Sequence, residues 1–287
     1  MTVLDGKTLS KKIEVNVTEG VKALKTATGN VPGLAVVLVG SDPASHAYVN
    51  MKKKACDRVG FYSITHEMPR DISQEAIENT IIMMNDNPNI DGILIQLPLP
   101  EHIDTTRILE LVAPHKDVDG FHPFNVGRLT TGLDGFVPCT PLGVMEIFKE
   151  YNIDVKGKDA VIVGASNIVG KPMAALLLNA EATTTVTHIH TKDLKAHTLN
   201  ADIVLVGAGV INLIKEDMVK DGAIVIDIGI NRAENGSLVG DVDYNNVSQK
   251  CSYITPVPGG VGPMTIAMLL SNTLKASQIN AKQKVEK

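Results

Sequence analysis

Short apolar runs rich in β-branched residues alternate with longer amphipathic stretches along most of the chain. This order is typical of a parallel sheet whose strands are joined by crossover helices. The apolar runs predict strands at residues 34–39, 61–67, 91–96, 159–163, 184–189, 203–206, 223–228 and 252–255. A helical period predicts helices at residues 7–27, 44–59, 73–86, 104–112, 141–151, 170–180 and 264–277. We therefore expect an α/β fold.

A passage rich in glycine and proline, residues 119–141, interrupts this periodicity. Such a passage indicates a junction between domains. We expect two lobes: an N-terminal parallel-sheet domain at residues 1–138 and a second domain at residues 139–263, with a helix near residues 264–280 returning to pack on the first. The stretch 277–287 is polar and rich in lysine, which predicts a frayed tail.

The segment from Val161 to Pro172 joins an apolar run, a turn of small residues and a helical pattern. Its Gly164, Ser166 and Gly170 form a variant of the dinucleotide-binding fingerprint. Small residues let backbone N–H groups approach a pyrophosphate, and the N-terminus of the next helix adds a positive partial charge. The alternative is a tight strand-to-helix turn without a ligand.

The next strand of this Rossmann-like lobe ends without an acidic residue. NAD sites usually place a carboxylate on the ribose hydroxyls, whereas a 2′-phosphate requires neutral or basic neighbours. Here His190, Thr191 and Lys192 follow the predicted strand, and Lys171 follows the glycines. This pattern favours NADP, with ordinary solvated loop residues as the alternative.

Composition describes an ordinary globular protein: 287 residues, 44% hydrophobic, 21% charged and a net charge of -5. With 3% aromatic residues and no Trp, we expect no nucleic-acid partner. Cys56, Cys139 and Cys251 are too far apart for a disulfide framework or a metal motif, so we expect a reducing compartment and no metal. No apolar stretch is long enough for a bilayer, which predicts a cytoplasmic protein without membrane contact.

Tyr48 and Lys52 lie four residues apart on a predicted helix and therefore share one face. A lysine desolvated beside other cations can lose its proton, and a phenol can hydrogen-bond the resulting amine. Lys53 and Lys54 are near enough to add like charge. The pair is a candidate for proton transfer, and the alternative is a solvated basic helix face.

Two further segments follow first-lobe strands, where open α/β sheets bind their ligands. Gln96 ends an apolar strand just before Pro98, so its amide is held in a rigid turn. In the stretch from Lys116 to Gly120, the alternate residues Asp117 and Asp119 are predicted to aim two carboxylates at the gap between the lobes. Alternatively, Gln96 caps the strand and the aspartates form turns.

Two side-chain-poor segments of the second lobe bring backbone close to another group. The loop from Pro256 to Thr265 can touch a flat ligand or serve only as a helix cap. The stretch from Asp227 to Asn231 ends a strand, and its neighbour is either a nicotinamide ring or the adjacent strand.

Together these segments resemble one family over nearly the whole chain: the bifunctional methylenetetrahydrofolate dehydrogenases/methenyltetrahydrofolate cyclohydrolases of one-carbon metabolism, the FolD type. The matching pieces are YVNMK at 48–52, QLPLP at 96–100, KDVDGFHP at 116–123, NVGRL at 125–129, PCTP at 138–141, GASNIVGKP at 164–172 and PVPGGVGPMT at 256–265. The number and order of these pieces make coincidence improbable.

The resemblance implies a homodimer formed through the second lobe, folate in a cleft between the lobes, and NADP on the Rossmann-like lobe. One site would oxidise 5,10-methylenetetrahydrofolate with NADP⁺ and hydrolyse the methenyl product to 10-formyltetrahydrofolate. These activities serve purine, methionine and histidine biosynthesis. Positioning carries much of such catalysis, because the cation formed by hydride loss is delocalised.

Carried over by residue, the resemblance makes Lys52 the catalytic group of hydrolysis, with Tyr48 packing on the pterin and tuning the lysine. Gln96 would hydrogen-bond Lys52 or the reacting centre, and Asp119 would bind the polar edge of the pterin. The other residues implied at the folate are Ile95, Leu97, Pro258, Gly259, Gly260, Val261 and Gly262. Those implied at the cofactor are Gly164, Ala165, Ser166, Ile168, Val169, Lys171, Ile189, His190, Thr191 and Ile230.

The chain departs from many relatives at Ala165, where they carry Arg, and at Ile189, where they carry Ser. The Arg and Ser side chains of those relatives would contact the 2′-phosphate. In their absence, this chain has Lys171, His190, Thr191 and Lys192 as substitutes. Two alternatives to the bifunctional enzyme are a monofunctional NAD(P)-dependent dehydrogenase using Tyr48 and Lys52, and a non-catalytic nucleotide sensor.

Overall fold

The computed structural model describes residues 1–285, with side chains described through residue 282. The chain forms two compact units, which we name by their sheets. The six-stranded unit contains Met1–Lys11, Leu129–Leu133 and Pro138–Thr265. The three-stranded unit contains Lys12–Arg128, Asp134–Val137 and the residues from Ile266 onward. Among the described helices, none combines the length and the apolar character that a bilayer crossing requires.

The elements up to residue 130 are β1 (Thr2–Val3), α1 (Gly6–Thr28), β2 (Gly33–Val39), α2 (Pro43–Val59), β3 (Tyr62–Met68), α3 (Gln74–Asp86), β4 (Gly92–Ile95), α4 (Thr105–Leu111) and α5 (Pro123–Thr130). Those that follow are α6 (Cys139–Glu150), β5 (Asp159–Val163), α7 (Gly170–Asn179), β6 (Thr183–Thr187), α8 (Leu194–Thr198), β7 (Ile203–Val206), β8 (Ile224–Asp227), β9 (Asn231–Arg232), β10 (Leu238–Val239), α9 (Tyr244–Val247), β11 (Tyr253–Ile254) and α10 (Val261–Val285). A 3₁₀ turn covers Glu216–Met218.

Each predicted strand and helix is present, which confirms the α/β fold. The passage 119–141 is not only a junction, however, because it contains helix α5. Pro123 stands at the first position of this helix, where a missing N–H costs no hydrogen bond, so a proline there starts a helix instead of breaking it.

The predicted frayed tail is wrong for the described part of 277–287, because α10 continues to Val285. Ser277 is buried, and the Asn280 Nδ2 atom donates to Asp91 Oδ1 at 2.9 Å. Asp91 is itself buried and accepts the Gly33 N–H through Oδ2 at 3.0 Å. Tertiary hydrogen bonds therefore extend a helix whose polar sequence shows no apolar face. Residues 286 and 287 lie outside the described residues.

The three-stranded unit has a parallel sheet in the order β3-β2-β4. Strand β2 lies in the centre and every one of its residues is buried, which explains its unbroken apolar sequence. Ile77 and Ile81 of α3 pack against one face, in a cluster with Ile93 and Ile108. Since all three strands run in one direction, the residues that follow them gather at one edge of the sheet.

The six-stranded unit has a parallel sheet in the order β1-β11-β8-β7-β5-β6. From β5 the chain passes outward to β6 and then returns to β7 on the other side of β5. This reversal is a topological switch point, and open α/β sheets bind ligands outside the carboxyl ends of the strands at such a point. The loops after β5 and β7 flank it.

The first residues of the chain belong to the six-stranded unit, although the predicted N-terminal domain began at residue 1. Strand β1 pairs with β11 at the edge of that sheet, where the Leu4 N–H donates to the Ile254 carbonyl at 2.8 Å. A two-residue strand has too little pattern to predict this long-range pairing.

Candidate active site

A buried lysine forms the centre of the site in the three-stranded unit. Lys52 lies on α2, a helix that begins with Pro43 and is capped by Asp42, whose carboxylate accepts the Ser45 N–H at 2.8 Å. The side chain of Lys52 reaches the edge where β4 ends and donates from Nζ to Oε1 of Gln96 at 3.0 Å. Only 9% of the residue is exposed. Burial of a lysine on a neutral partner is uncommon, since lysines are almost never buried without a charge partner.

The Gln96 amide is held in one orientation. Its backbone N–H donates to the Val37 carbonyl at 2.9 Å, so the residue continues the pairing of β4 with β2. Its Nε2 donates to the Leu97 carbonyl at 2.8 Å, which turns Oε1 towards Lys52. The Leu97–Pro98 bond is cis. Gln96 therefore does more than cap a strand: it presents an acceptor to the lysine.

The basic stretch of α2 divides into two environments. Lys53 and Lys54 are exposed, so the alternative of a solvated basic face holds for them and not for Lys52. Tyr48 is half-buried one turn before Lys52 and stands on the same face. One turn after Lys52, Cys56 is buried, and burial raises the pKa of its thiol to about 12. The apolar side of α2 thus keeps Cys56 protonated and inert.

Asp117 and Asp119 have different roles, and the expectation that both carboxylates point to a ligand is wrong for Asp117. Asp117 is buried and accepts the N–H groups of Phe121 and His122 at 3.1 and 2.9 Å, together with Nδ2 of Asn125 at 2.8 Å. Burial raises the pKa of Asp117. Its carboxylate shapes the chain that enters α5, as the turn alternative predicted.

Asp119 is half-buried at the end of a segment that runs beside β4. A parallel bridge pairs Ile93 with Asp117, so residues 116–119 run in the same direction as the strand that leads to Gln96. The Val118 carbonyl accepts Nδ2 of Asn272 at 2.8 Å, which anchors the residue before Asp119 to α10. The geometry brings Asp119 towards the same edge as Gln96. Ile95 is buried in the core, so only its backbone is available to a ligand there.

In the six-stranded unit, the glycine turn after β5 is built for close backbone approach. Gly164 has φ +115°, and a Cβ there would lie 2.4 Å from the Gly207 carbonyl oxygen. A Cβ on Gly170 would lie 1.9 Å from the Gly164 oxygen. Ser166 Oγ accepts the N–H groups of Val169 and Gly170 at 3.1 and 3.4 Å, which shapes the start of α7. These glycines allow a tight turn directly before the N-terminus of α7, which is the kind of turn that dinucleotide-binding sites use.

The residues predicted for the adenosine end surround a bend after β6. Ile189 is 93% exposed, and the His188 N–H donates to Oγ1 of Thr191 at 2.9 Å. Lys171 Nζ donates to Oδ1 of Asn167 at 2.6 Å, within the glycine turn itself. The first acidic residue after β6 is Asp193, whose carboxylate caps α8 through the Ala196 N–H at 3.0 Å. An available ribose-binding carboxylate is therefore missing from this bend.

The loop before α10 touches the strand end after β8. A Cβ on Gly262 would lie 3.4 Å from Cδ1 of Ile230, so a residue predicted for the folate lies beside one predicted for the cofactor. The Lys7 N–H donates to the Gly259 carbonyl at 2.9 Å, and Gly6 packs on Gly260 with no room for a side chain. Pro258 is exposed at the crest of the loop, and Val261, where α10 begins, is buried.

Two buried carboxylates that our sequence interpretation did not place organise the loops after β7 and β8. A Cβ on Gly229 would lie 2.2 Å from the Asp241 carboxyl carbon, so this side chain is one neighbour of the stretch 227–231. The adjacent strand is another, because the Ile228 N–H donates to the carbonyl of Val206 in β7 at 2.7 Å. Asp227 accepts the Gly229 and Asp241 N–H groups through Oδ1 and the Val242 N–H through Oδ2. In the sequence, the one sign of this arrangement is the G-D-V-D run at residues 240–243.

A groove of about 720 Å³ lies at the opposite edge of the three-stranded sheet, away from these residues. It is bordered by Asn30, Tyr62 and Asp91, which precede or begin the strands. None of the predicted site residues lines it. Among the side chains described, His, Cys, Asp and Glu form no group of three that is arranged to hold a metal ion.

Comparison with known proteins assigns both parts of the chain. Residues 4–119 match the model for the tetrahydrofolate dehydrogenase/cyclohydrolase catalytic domain, and residues 138–281 match its NAD(P)-binding domain. The chain belongs to the tetrahydrofolate dehydrogenase/cyclohydrolase family. The bifunctional protein FolD of Sulfurimonas denitrificans is 78% identical over 283 residues, which are 99% of each chain.

Solved structures of this family agree with the fold. The bifunctional FolD of Campylobacter jejuni is 56% identical, with a TM-score of 0.96 over 97% of this chain and 99% of its own. The enzyme of Trypanosoma brucei, solved with NADP cofactor and an inhibitor, is 38% identical, with a TM-score of 0.95 over 98% and 99%. The expected family, the two-domain α/β architecture and the bifunctional folate activity are confirmed, and the sensor and monofunctional alternatives are set aside.

The Asp227 carboxyl generates a prediction about stability and pH. Burial raises its pKa from 3.8 to about 6, so the folded state holds a proton that the unfolded state releases. As the pH rises from 4 to 6, the Asp227 carboxyl progressively lowers the free energy of unfolding. The loss reaches about 3 kcal/mol at neutral pH. Asp227→Asn should lose this dependence while being less stable throughout, because an amide cannot accept all three N–H groups.

Chemical denaturation of both proteins at several pH values between 4 and 6 measures the difference in slope. Asp243→Asn, in the same segment but on the partly exposed cap of α9, is the matched control and should follow the parent curve. If the stability of the parent and that of Asp227→Asn changed with pH in the same way, the Asp227 carboxyl would have the same pKa in the folded and unfolded states, and the prediction would be wrong.

Proposed function

We propose that Lys52 is the catalytic group of methenyltetrahydrofolate hydrolysis and that the dehydrogenase step uses NADP⁺. The observation that carries the first part is the burial of Lys52 on a neutral amide, with Tyr48 one turn away on the same face. The partner of this amine is thus an amide oxygen and not a carboxylate. The same edge of the sheet receives Asp119.

Both reactions pass through a positively charged carbon between two nitrogens, and this determines what the lysine must do. A permanently charged ammonium would oppose that cation at short distance. An uncharged amine accepts a proton instead. Water attacks the methenyl carbon, and Lys52 Nζ takes the first proton that the water loses. That proton passes to N5 as the bond between N5 and carbon breaks. The remaining hydroxyl proton leaves to solvent as the carbonyl forms, which gives 10-formyltetrahydrofolate and one released proton.

The other residues act on Lys52 or on the folate. Gln96 Oε1 accepts from the lysine in either protonation state, so it keeps Nζ in place through the proton cycle. Tyr48 packs on the pterin and tunes the amine, and Asp119 accepts from the polar edge of the pterin. NADP⁺, when bound, receives the hydride.

Lys52→Met tests the first part of the proposal. We expect cyclohydrolase kcat to fall by at least about 100-fold, because general acid-base groups contribute on this scale. The methionine keeps the length and the apolar stem of the lysine, so the fold should be preserved. The loss of methenyltetrahydrofolate absorbance in the absence of nucleotide measures the reaction.

Lys53→Met is the matched control, since Lys53 is the exposed neighbour on the same helix. It should hydrolyse the substrate at the rate of the parent. Full cyclohydrolase activity in Lys52→Met would remove the lysine from this role, and equal losses in both variants would point to a general effect on α2.

The preference for NADP rests on the bend after β6. The acidic residue of this bend is Asp193, and its carboxylate caps α8. His190 is exposed, and Lys171 lies at the start of α7. This environment favours a 2′-phosphate and offers no carboxylate to ribose hydroxyls. A relative of this family was solved with NADP as cofactor.

We expect a higher kcat/KM with NADP⁺ than with NAD⁺ in dehydrogenase assays followed at the absorbance of the reduced nucleotide. Ala165→Arg, at a half-buried position next to Gly164, should lower the KM for NADP⁺ and leave that for NAD⁺ unchanged, because only NADP⁺ carries the 2′-phosphate. Equal efficiency with both nucleotides in the parent enzyme would contradict the preference.

We further propose a homodimer formed through the six-stranded unit, in a cytoplasmic enzyme whose three cysteines are buried thiols. Strand β6 ends the sheet and pairs only with β5, so its outer backbone groups are open to a second strand. Val186 on β6 is 38% exposed and Leu178 on α7 is 62% exposed. A two-fold axis beside this edge would bury both.

The double variant Val186→Lys/Leu178→Lys should be a monomer at concentrations where the parent is a dimer, because lysine charges oppose burial at an interface. Sedimentation velocity measures the mass of each. Val15→Lys changes an exposed valine of α1 in the three-stranded unit and should leave the dimer intact. A dimeric double variant would place the interface elsewhere.

A further inference from the structure

The Asp241 side chain is fully buried and holds two loops at once. Its Oδ2 accepts the Ala208 and Gly209 N–H groups at 2.6 and 2.8 Å, in the loop after β7. Its Oδ1 accepts Nδ2 of Asn231 at 2.8 Å, at the end of the loop after β8. Exposure of Asp241 is 0%. A buried charge is costly unless its oxygens are hydrogen-bonded, and here backbone and amide donors meet that need.

A short hairpin delivers this carboxylate. Strands β9 and β10 pair Asn231 with Val239, so the chain leaves β8, turns and returns to Asp241 beside its starting point. The Asp241 N–H then donates to Oδ1 of Asp227, the last residue of β8, at 3.0 Å. Gly229 has no side chain because the Asp241 carboxyl occupies that space. Hairpin, strand end and loop are thus joined through one residue.

The two loops that Asp241 holds border the switch point of the sheet. Gly207, the first residue after β7, lies against both Gly164 of the glycine turn and Ile228 after β8. In this fold the adenosine half of a dinucleotide follows the outward strand, here β6, and the other half extends across the switch point. The loops after β7 and β8 therefore face the nicotinamide half.

We propose that Asp241 is a positioning residue for the dinucleotide: its carboxylate holds the loops 207–209 and 228–231 in the conformation that receives the nicotinamide half. The inference rests on the proposed use of NADP and adds a group that touches neither cofactor nor folate. The carboxylate turns the Ala208 and Gly209 N–H groups inward. It also fixes the strand end that carries Ile230, the residue beside Gly262.

Removal of the carboxylate should loosen both loops. Asp241→Ala leaves three donors without their acceptor, and we expect the Kd for NADPH to rise by about tenfold or more. Titration of NADPH fluorescence measures this without turnover. Hydrolysis of methenyltetrahydrofolate without nucleotide should be largely retained, because Lys52 and Gln96 lie in the other unit. Asp243→Asn is the matched control for both measurements.

An exchange of donor and acceptor distinguishes positioning from a general loss of stability. In Asp241→Asn, one amide oxygen still accepts from Ala208 and Gly209, but the new NH₂ faces that of Asn231. In Asn231→Asp, two carboxylates face each other. Each single variant should bind NADPH more weakly, and the double variant Asp241→Asn/Asn231→Asp should recover most of the affinity because one acceptor again faces one donor.

The outcomes separate the possibilities. Weak binding in the single variants, recovery in the double variant and retained hydrolysis support the proposal. Parent-like affinity in Asp241→Ala overturns it, and so does a parallel loss of hydrolysis and binding that follows the folded fraction measured by circular dichroism. If Asp241→Ala does not fold, the exchange series alone decides. Failure of the parent enzyme to bind NADPH would refute the proposed cofactor and not the role of Asp241.

Discussion

The hydrogen bond between Lys52 and Gln96 is the interaction on which the proposed chemistry depends. It joins a helix to the end of a central strand, and it satisfies a buried amine without giving it a negative partner. An ion pair would hold the ammonium form next to a carbon that must itself become positive. In the proposed hydrolysis the amine takes up and releases a proton, and its neutral partner can accept a hydrogen bond throughout; the dehydrogenase step transfers a hydride and makes no such demand.

The two sheets of this chain fix the geometry of their functional edges in different ways. In the three-stranded unit, side chains set the geometry, through Gln96, Asp117 and Asn272. In the six-stranded unit, the lack of side chains at Gly164 and Gly170 sets the geometry, because it lets backbone segments touch. Carboxylates buried among N–H groups then lock the remaining loops. The first arrangement suits proton transfer, and the second suits a long anionic ligand.

Pattern in the sequence predicted the long elements well, because each of them buries one regular face. It failed for α5, β1 and the end of α10, where a proline at a helix start, a two-residue strand and single polar anchors decide the structure. The local motifs at Lys52 and Gly164 were predictable from composition and spacing. The Asp241 network was not, since its partners Ala208 and Gly209 lie more than thirty residues away and no period connects them.

The crowding of the glycine turn also limits where this chain can be altered by design. Backbone lies against backbone at Gly164 and Gly170, so a side chain at either position would disrupt the turn. Ala165 is half-buried and Ile189 is almost fully exposed, so both positions are less confined than these glycines. A change of nucleotide preference is therefore best sought at Ala165 and Ile189, with Gly164 and Gly170 left as they are.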